Sequence, residues 1–590
     1  MTELTAIKLP PFSYYMANGK CYVRTYHNVR VPSKKDPSKT VPVKKNIKNV
    51  GVINDKDGIG PIIFYDEFIA AHPELNLGKL TVSRNLNQGQ KRPNLQILPK
   101  EKGDVIRMPR EVEVKSYGLH LVVKRILDKD PLVESLKFIF PDLWQECLAL
   151  AEFMVAQPDA RMINFELFQS TNETFTDRHL DGATISRLFK ELSEKKIYEF
   201  FCDYFDRLEK GPFYNKERFW ALDSTNFGCY GKDLNDLAWG RQKQDEDLPQ
   251  LNVMMLVDQE TERPLFYRHF NGSIPDVSTV QSMCQLAIQM GARSFVLVFD
   301  RGYYGKDNIG EIFDTGYHFV SCVPLNKTVQ FDAEIKEAAP ELLSGTHYSS
   351  YTRQNSICLE KDFEIRKGES RKLYVHVFYS PAAAGASIEH ILQRRADVAQ
   401  LMRNNKQLDA ANAKFAKTYL TVSDDGKIMN NNSAFQAASN RAGFFVIISD
   451  TVKNSSVAYR AYLARSTVEE VFTGLKARMQ MRRVRVCTEE SLDGKCFIQF
   501  LAISIWMMLD HILDERRRKG IEVPHNSLPH VLKEIMAMSR VTFDGQYNTY
   551  TTVSRKQREC LNLFGVQPPD SGYKEEVALA NQLQKAKKPN

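Results

Sequence analysis

An α/β multidomain chain is predicted, in which a mixed-sheet core interrupted by an inserted domain is flanked by a β-rich N-terminal module and by helical regions. Three observations lead to that class. Residues 1–110 alternate short β-like runs (YVRTYHNVRV, VGVI, GPIIFY) with Pro, Gly, Lys and Asn turns, and close on a polar linker, SRNLNQGQKRPN. Residues 111–212 carry apolar residues three and four apart (GLHLVVKRIL, LWQECLALAEFMV, ISRLFKELSEKKIYEFFCDYF), the spacing of five or six helices. Beyond Pro212 strands and helices alternate. At 590 residues the chain exceeds the size of a single core, so roughly three to four domains are expected.

The alternating region gives the most specific expectation. ERFWALDST, LNVMMLVD and PLFYRHF read as three strands. A helix near 276–290, a buried strand SFVLVFD, a helix GKDNIGEIFDT and a strand YHFVSCV follow. That β-β-β-α-β-α-β order is the layout of a ribonuclease H-like fold, assigned here to 213–324 and 441–485. Residues 325–440 interrupt it as an inserted domain, FFVIISD resumes a strand, and a long helix is expected over about 456–480. Residues 486–590 read as a helical segment ending in a basic tail, KEEVALANQLQKAKKPN.

Composition narrows the class. With 43% hydrophobic and 26% charged residues the chain is close to an average folded protein, which argues against wholesale disorder and against a disulfide scaffold. The ten cysteines form no Cys-x-x-Cys pair and have no His at zinc spacing, so they read as reduced thiols of a cytoplasmic protein. The start, MTELTAIKLPPF, lacks the plan of a signal peptide. The most apolar stretch, Phe497 to Leu509, is too short to span a bilayer, so no membrane partner is expected. The net charge of +8 is concentrated: residues 1–50 hold ten Lys or Arg against Glu3 and Asp36, and the other 540 residues balance at 70 of each sign. A basic module interleaved with Tyr14, Tyr15, Tyr22 and Tyr26 suits a phosphate backbone, and a merely solvated face has the same composition.

Two-metal phosphoryl chemistry needs acids from separate elements converging on ions roughly 3.5–4 Å apart. Asp223 is expected to close the first strand and Asp300 the buried one, just before RGYYG. Each alone also suits a turn or helix cap. The segment AYLARSTVEEVFTGLKARM adds Tyr462, Arg465, Glu469 and Lys476 at offsets 0, 3, 7 and 14, within about a 60° arc of a helix. Val468, Val471, Phe472 and Leu475 form an adjacent apolar face, and Glu470 points about 100° away from Glu469. A plain amphipathic helix would show a similar mixture of charges. Arg478, Arg482, Arg483 and Arg485 follow directly, placed to neutralise a backbone or to cap a solvated helix end.

Tyr-x2-Arg-x3-Glu-x6-Lys, together with LDST, VFDRG and the element order, resembles the DDE transposases of bacterial insertion sequences, the group called insertion sequence family four and its relatives. The resemblance covers about 212–325 and 440–510. It differs from the usual pattern at Ser273, Ser466 and Lys495, none of them a metal ligand. It implies that Asp223, Asp300 and Glu469 hold two Mg2+ ions, with Mn2+ able to substitute, and that Tyr462, Arg465 and Lys476 position the transposon end. The implied reaction is metal-dependent cleavage of transposon ends followed by attack of the freed 3′-hydroxyl on target DNA. A homodimer pairing two double-stranded ends is implied, in the bacterial cytoplasm and nucleoid-associated when bound to DNA. Some relatives flip a base onto a tryptophan of the insertion. All four tryptophans here lie outside it, leaving Tyr348, Tyr351 or another aromatic.

Three rivals stay open from sequence. A transposase descendant that binds DNA without cutting would keep the same residues. A branched-DNA nuclease of the same fold would cut without strand transfer. A metabolic α/β enzyme would need a cofactor motif, and no glycine-rich phosphate loop is present.

Overall fold

The structure is a computed structural model. It describes residues 9–568 apart from 18, 34–38, 56, 76, 78–79, 87–92, 100–111, 212–217, 230–233, 235–248, 272–275, 294, 326–330, 424–425, 479–482, 485, 487, 526 and 544–546. The chain divides into two compact units, Met1–Arg110 and Glu111–Asn590.

The first unit contains β1 (Phe12–Ala17), β2 (Lys20–Pro32), β3 (Thr40–Ile53), β4 (Gly60–Pro61), β5 (Ile63–Phe64), α1 (Asp66–Ala71), β6 (Leu80–Asn85) and β7 (Asn94–Pro99). β1-β2-β3-β5 form one antiparallel sheet and β4-β6-β7 another. Phe12, Val23, Val50, Ile53, Phe68 and Val82 make its core. In β2 the buried Cys21 and Val23 follow the two-residue period of a strand, whereas the end of β3, Val50–Ile53, is buried continuously and Phe68 comes from α1.

The second unit opens with β8 (Val112–Ser116) and six helices: α2 (Gly118–Ile126), α3 (Pro131–Ile139), α4 (Trp144–Ala156), α5 (Phe165–Thr171), α6 (Gly182–Glu191) and α7 (Glu194–Lys210). Asp130 and Asp181 cap α3 and α6 by accepting from Leu132 and Thr184 backbone N–H groups, the expected use of Asp at a helix start. Next come β9 (Arg218–Cys229), β10 (Gln250–Asp258), β11 (Pro264–Asn271), α8 (Asp276–Gln289), β12 (Phe295–Phe299), α9 (Lys306–Thr315) and β13 (His318–Cys322). The following stretch holds α10 (Asp332–Leu343), β14 (Tyr348–Ser349), β15 (Gln354–Arg366), β16 (Glu369–Tyr379), α11 (Pro381–Arg403), α12 (Ala410–Tyr419), β17 (Leu420–Val422), β18 (Ile428–Asn430) and α13 (Asn432–Arg441). The chain then returns through β19 (Phe444–Ser449), α14 (Ser455–Ala464), α15 (Ser466–Thr473) and β20 (Arg483–Val484). It ends with α16 (Glu489–Arg518), α17 (Leu528–Met536), β21 (Ser539–Phe543), β22 (Tyr547–Tyr550) and α18 (Arg555–Leu563).

The central sheet runs β11-β10-β9-β12-β13-β19-β16-β15-β14, with β20 added to β9. β9, β12 and β13 are mutually parallel, and the other main neighbours are antiparallel. Every residue of β10 is buried, including Gln250, Asn252 and Asp258, as the apolar run Val253–Val257 anticipates for a strand covered on both faces. Trp220 of β9 stacks on Phe295 of β12 with centroids 4.0 Å apart, and Phe205 of α7 closes over Trp220, tying the helical region to the sheet.

Four expectations need correction. Asp223 does not close its strand: β9 continues to Cys229, because β10 pairs with it as far as Gly228↔Gln250. The helix expected over 456–480 breaks at Arg465 into α14 and α15, where the Val468 N–H bonds to the Arg465 carbonyl three residues back, and a π-helical turn, Gly474–Arg478, follows. The stretch 325–440 is not set apart as a whole: β14, β15 and β16 extend the central sheet beyond β19, while β17 and β18 pair with each other. Only α11–α13 with β17 and β18 gather a small separate core around Val398, Ala399, Ala416 and Leu420. The C-terminal segment is not purely helical, because β21 pairs with β22 on one side and with β8, from the start of the unit, on the other. The tail KEEVALANQLQKAKKPN lies outside the described residues.

α16 is long and apolar enough by length and composition to cross a membrane, yet 78% of its most apolar window is buried inside the unit. It is the central core helix. Phe497 and Phe500 interleave edge-on with Phe200 and Phe201, and a Cβ at Gly494 would lie 2.2 Å from the Phe189 carbonyl oxygen, so α6 approaches to a distance only glycine permits. Each such fully buried aromatic contributes roughly 1.5–3 kcal/mol of transfer free energy.

Candidate active site

Strand register brings the two aspartates together. Phe299↔Leu222 is the last pair between β12 and β9, so Asp300 and Asp223 stand side by side at the next step, about 5 Å apart along the ladder. β12 ends there, whereas β9 continues and is rejoined by β20 only at Gly228↔Arg483. Among the described residues, Asp223 therefore begins the stretch of β9 that no strand flanks on that side.

Two tyrosines fix the pair. The Tyr303 hydroxyl donates to Asp223 Oδ1 at 3.0 Å, and the Ser224 backbone N–H donates to the same oxygen at 2.8 Å. The Tyr462 hydroxyl donates to Asp300 Oδ1 at 2.9 Å. Tyr303 belongs to a 3-10 turn, Arg301–Tyr303, that starts at Asp300, so the loop leaving one acid reaches back to hold the other. Sequence reasoning passed over Tyr303. RGYYG directly after the acid was the available signal, but a tyrosine in a turn has no periodicity to show which way it points.

α14 packs on β13 and β19, and α15 packs on β9 and β10, so the junction between them overhangs the aspartates. Arg465 occupies that junction. Its Nη1 lies 2.8 Å from Glu469 Oε1, its Nε 3.6 Å from Asp300 Oδ1, and its guanidinium 5.1 Å from the Tyr462 ring centroid. Burial works against the Arg465 charge, but Asp300, Tyr462 and Glu469 outweigh it and hold its pKa above the ordinary value. Burial, reinforced by Cys322 and Asp300, pushes the Tyr462 phenol well up, so it stays a donor. Arg465 is 22% exposed, Asp300 32% and Glu469 55%, a gradient from a covered cation to an acid facing solvent.

The remaining expected residues are less closely gathered. Lys476, in the π-helical turn, places Nζ 5.8 Å from the Phe227 ring of β9. Arg478 and Arg483 have described backbones but undescribed side chains, and Arg482 and Arg485 lie outside the described residues, as does Ser273. Glu470 is exposed, and its carboxyl is raised by partial burial and by Glu262, Asp510 and Asp514. Glu469 also raises it, alongside those acids of neighbouring elements. Tyr351 is 70% exposed and is engaged by Arg460 of α14, which lies 5.1 Å over its ring and bonds its hydroxyl at 3.3 Å.

Among the described residues no three Asp, Glu, His or Cys side chains converge tightly enough to hold one ion. The donor set nonetheless suits hard divalent cations: adjacent carboxylates on rigid strands, with a third reached through a single guanidinium. The eight described cysteines are free thiols.

Residues 214–505 match the family described as Transposase DDE domain. No curated protein matches this chain. Among solved structures, a cryo-EM structure of the piggyBac transposase synaptic complex with hairpin DNA is similar over 78% of this chain and 84% of that chain, at 12% identity and a TM-score of 0.32, a likeness too slight to argue from. The matched residues span the sheet from β9, both aspartates and the α14–α15 junction, and with them the chain carries a transposase DDE domain and functions as a DNA transposase, cleaving and transposing DNA.

Proposed function

We propose that Asp223, Asp300 and Glu469 are the metal-holding acids of this transposase, on a ribonuclease H-like core formed by β9–β13 and the helices packed on them. The observation that carries this is the parallel register setting Asp300 beside Asp223, with Arg465 linking Asp300 to Glu469. Asp223 and Asp300 would hold two divalent ions, Mg2+ or Mn2+, and Glu469 would complete one of them. When bound, such ions activate a water or a 3′-hydroxyl and stabilise the leaving oxygen.

The chain's own residues orient that chemistry. Tyr303 and Tyr462 keep each aspartate in one rotamer, so the ligand geometry is set before DNA arrives. Arg465 gives the acids a counter-charge in the absence of DNA. With a transposon end bound, it and Lys476 turn to successive phosphates, with Arg478, Arg482, Arg483 and Arg485 extending the basic track. The reading places the chain with the bacterial insertion-sequence group, acting as a homodimer on two ends in the cytoplasm and nucleoid-associated when bound to DNA. The Tyr-Arg-Glu-Lys spacing supports that placement.

The test is cleavage and strand transfer on linear DNA carrying the element's own ends, with Mg2+ or Mn2+, comparing wild type with Asp300→Ala and Glu469→Gln. Metal-dependent transfer lost in both variants while end binding persists supports the triad. Ends bound but never cut by the wild type would leave a DNA-binding protein without this chemistry.

A further inference from the structure

The hairpin β2–β3 is far longer than the sheet that supports it. β1 pairs with β2 only as far as Thr25, β5 meets β3 only at Gly51 and Val52, and two register shifts lie at Val23/Arg24 and Thr25/Tyr26. Beyond those bulges Tyr26↔Asn46 to Pro32↔Thr40 continue as a two-stranded ribbon with no third strand among the described residues, roughly 20 Å long at 3.3 Å per residue. Bulges at such a base bend and twist a strand, and so aim it. An isolated ribbon of this kind has little stability of its own, so its length calls for a partner.

The two faces differ. Cross-strand partners share a face, which puts Asn28, Arg30 and Lys44 on one side and Val29, Val43 and Val41 on the other. Asn28 and Arg30 are exposed and their side chains make no hydrogen bond or ion pair among the described residues, and Lys44 rests 4.5 Å over the Tyr26 ring. The described residues of 20–53 contain seven Lys or Arg and no acid. Pro32 and Pro42 stand on the two outer edges, where the missing N–H and the neighbouring lysines disfavour addition of another strand.

We propose that the paired strands Tyr26–Pro32 and Thr40–Asn46 enter the major groove of duplex DNA and read base edges with Asn28, Arg30 and Lys44. The major groove, about 12 Å wide, admits a two-stranded ribbon. Arg and Lys pair with guanine O6 and N7 there, and Asn with adenine N6 and N7. Charge complementarity selects this partner over a second copy of the chain, which would meet the same cations. The inference rests on the transposase reading for the identity of the ligand, and it adds an end-recognition element in the first unit.

The test uses the full-length protein and fluorescence anisotropy on two duplexes, one carrying the element's own end and one a scramble of it. Arg30→Ala is expected to weaken the end duplex roughly tenfold or more while changing the scramble severalfold at most. Arg30→Lys keeps scramble binding and loses only part of the discrimination, Lys45→Ala on the valine face keeps discrimination, and 7-deazaguanine in the end duplex reproduces the Arg30 loss with the wild type. Equal loss on both duplexes, or wild-type binding by every variant, overturns groove reading. A changed molecular mass with unchanged DNA affinity would assign the ribbon to a second copy instead. Metal-dependent cleavage of the end duplex by the wild type, scored in parallel, separates the outcomes: cutting with no Arg30 effect removes the ribbon proposal alone, and absence of cutting counts against the catalytic reading alone.

Discussion

Arg465 donates to Glu469 at 2.8 Å while its Nε stays 3.6 Å from Asp300, so one guanidinium spans two of the proposed metal-holding acids. A fixed positive charge so near both carboxylates competes with any cation they bind. Coulomb attraction over such distances, reduced by the exposure of Glu469, makes the competition worth about tenfold in affinity. Arg465→Gln is therefore expected to tighten Mn2+ binding about tenfold in the absence of DNA, by calorimetric titration, while lowering cleavage of end DNA roughly a hundredfold. Unchanged Mn2+ affinity would mean that the guanidinium does not stand in the cation's way.

The hydroxyls of Tyr303 and Tyr462 hold adjacent carboxylates, so the two removals should couple and the double variant should depart from the sum of the single ones. Each Phe substitution removes a hydrogen bond worth about 1 kcal/mol, or roughly fivefold in single-turnover cleavage, with the fold unchanged. Because burial keeps the Tyr462 phenol protonated, the pH–rate profile of Tyr462→Phe should parallel the wild type through neutral and mildly alkaline pH. A limb present only in the wild type would make Tyr462 a titrating participant.

What the sequence disclosed, and what it hid, divides along physical lines. Apolar runs such as SFVLVFD and LNVMMLVD are legible because strands covered on both faces need no polar alternation, and the helical spacing of Tyr462, Arg465 and Glu469 survives the break at Arg465. The exit of Asp223 from its strand was misjudged because β9 ends where its partner β10 lets it, a property of pairing that Asp223 does not carry. The same holds for β15 and β16, whose membership in the central sheet is decided by distant pairing with β19. Tyr303 was invisible because its partner lies 80 residues earlier in the chain.

Arg218 and Asp258 form a buried ion pair at 3.0 Å, at 7% and 1% exposure, where β9 begins and β10 ends. Asp258 also accepts from the Glu260 and Thr261 backbone N–H groups and from the Thr261 hydroxyl, so it fixes the turn into β11. Removing it takes the paired carboxylate away from a buried guanidinium. Asp258→Ala should cost about 3–5 kcal/mol in denaturant unfolding, far more than loss of an exposed pair such as Lys210–Asp206 at about 0.5 kcal/mol.

His376 of β16 ties the sheet to the start of α14, the helix that delivers Tyr462. Its Nε2–H donates to the Val452 carbonyl at 2.9 Å, and its Nδ1 lies 3.0 Å from the Ser455 hydroxyl, from which the neutral ring accepts. Burial pushes its pKa down to about 4, and the bond to Val452 only partly opposes that. In the unfolded chain the same imidazole takes a proton near pH 6.5. Between those values the unfolded state binds the extra proton, so a contribution fully present above pH 6.5 is lost as pH falls and levels off below 4, at most about 3 kcal/mol in all. His376→Gln, which removes the titration, should be less stable than wild type at pH 7 and should narrow that difference steadily toward pH 4, when both are followed by denaturant unfolding. A constant difference across that window would show that the ring carries no such linkage. Because α14 depends on this anchor, the same acid range should also weaken end cleavage in the wild type more steeply than in the variant.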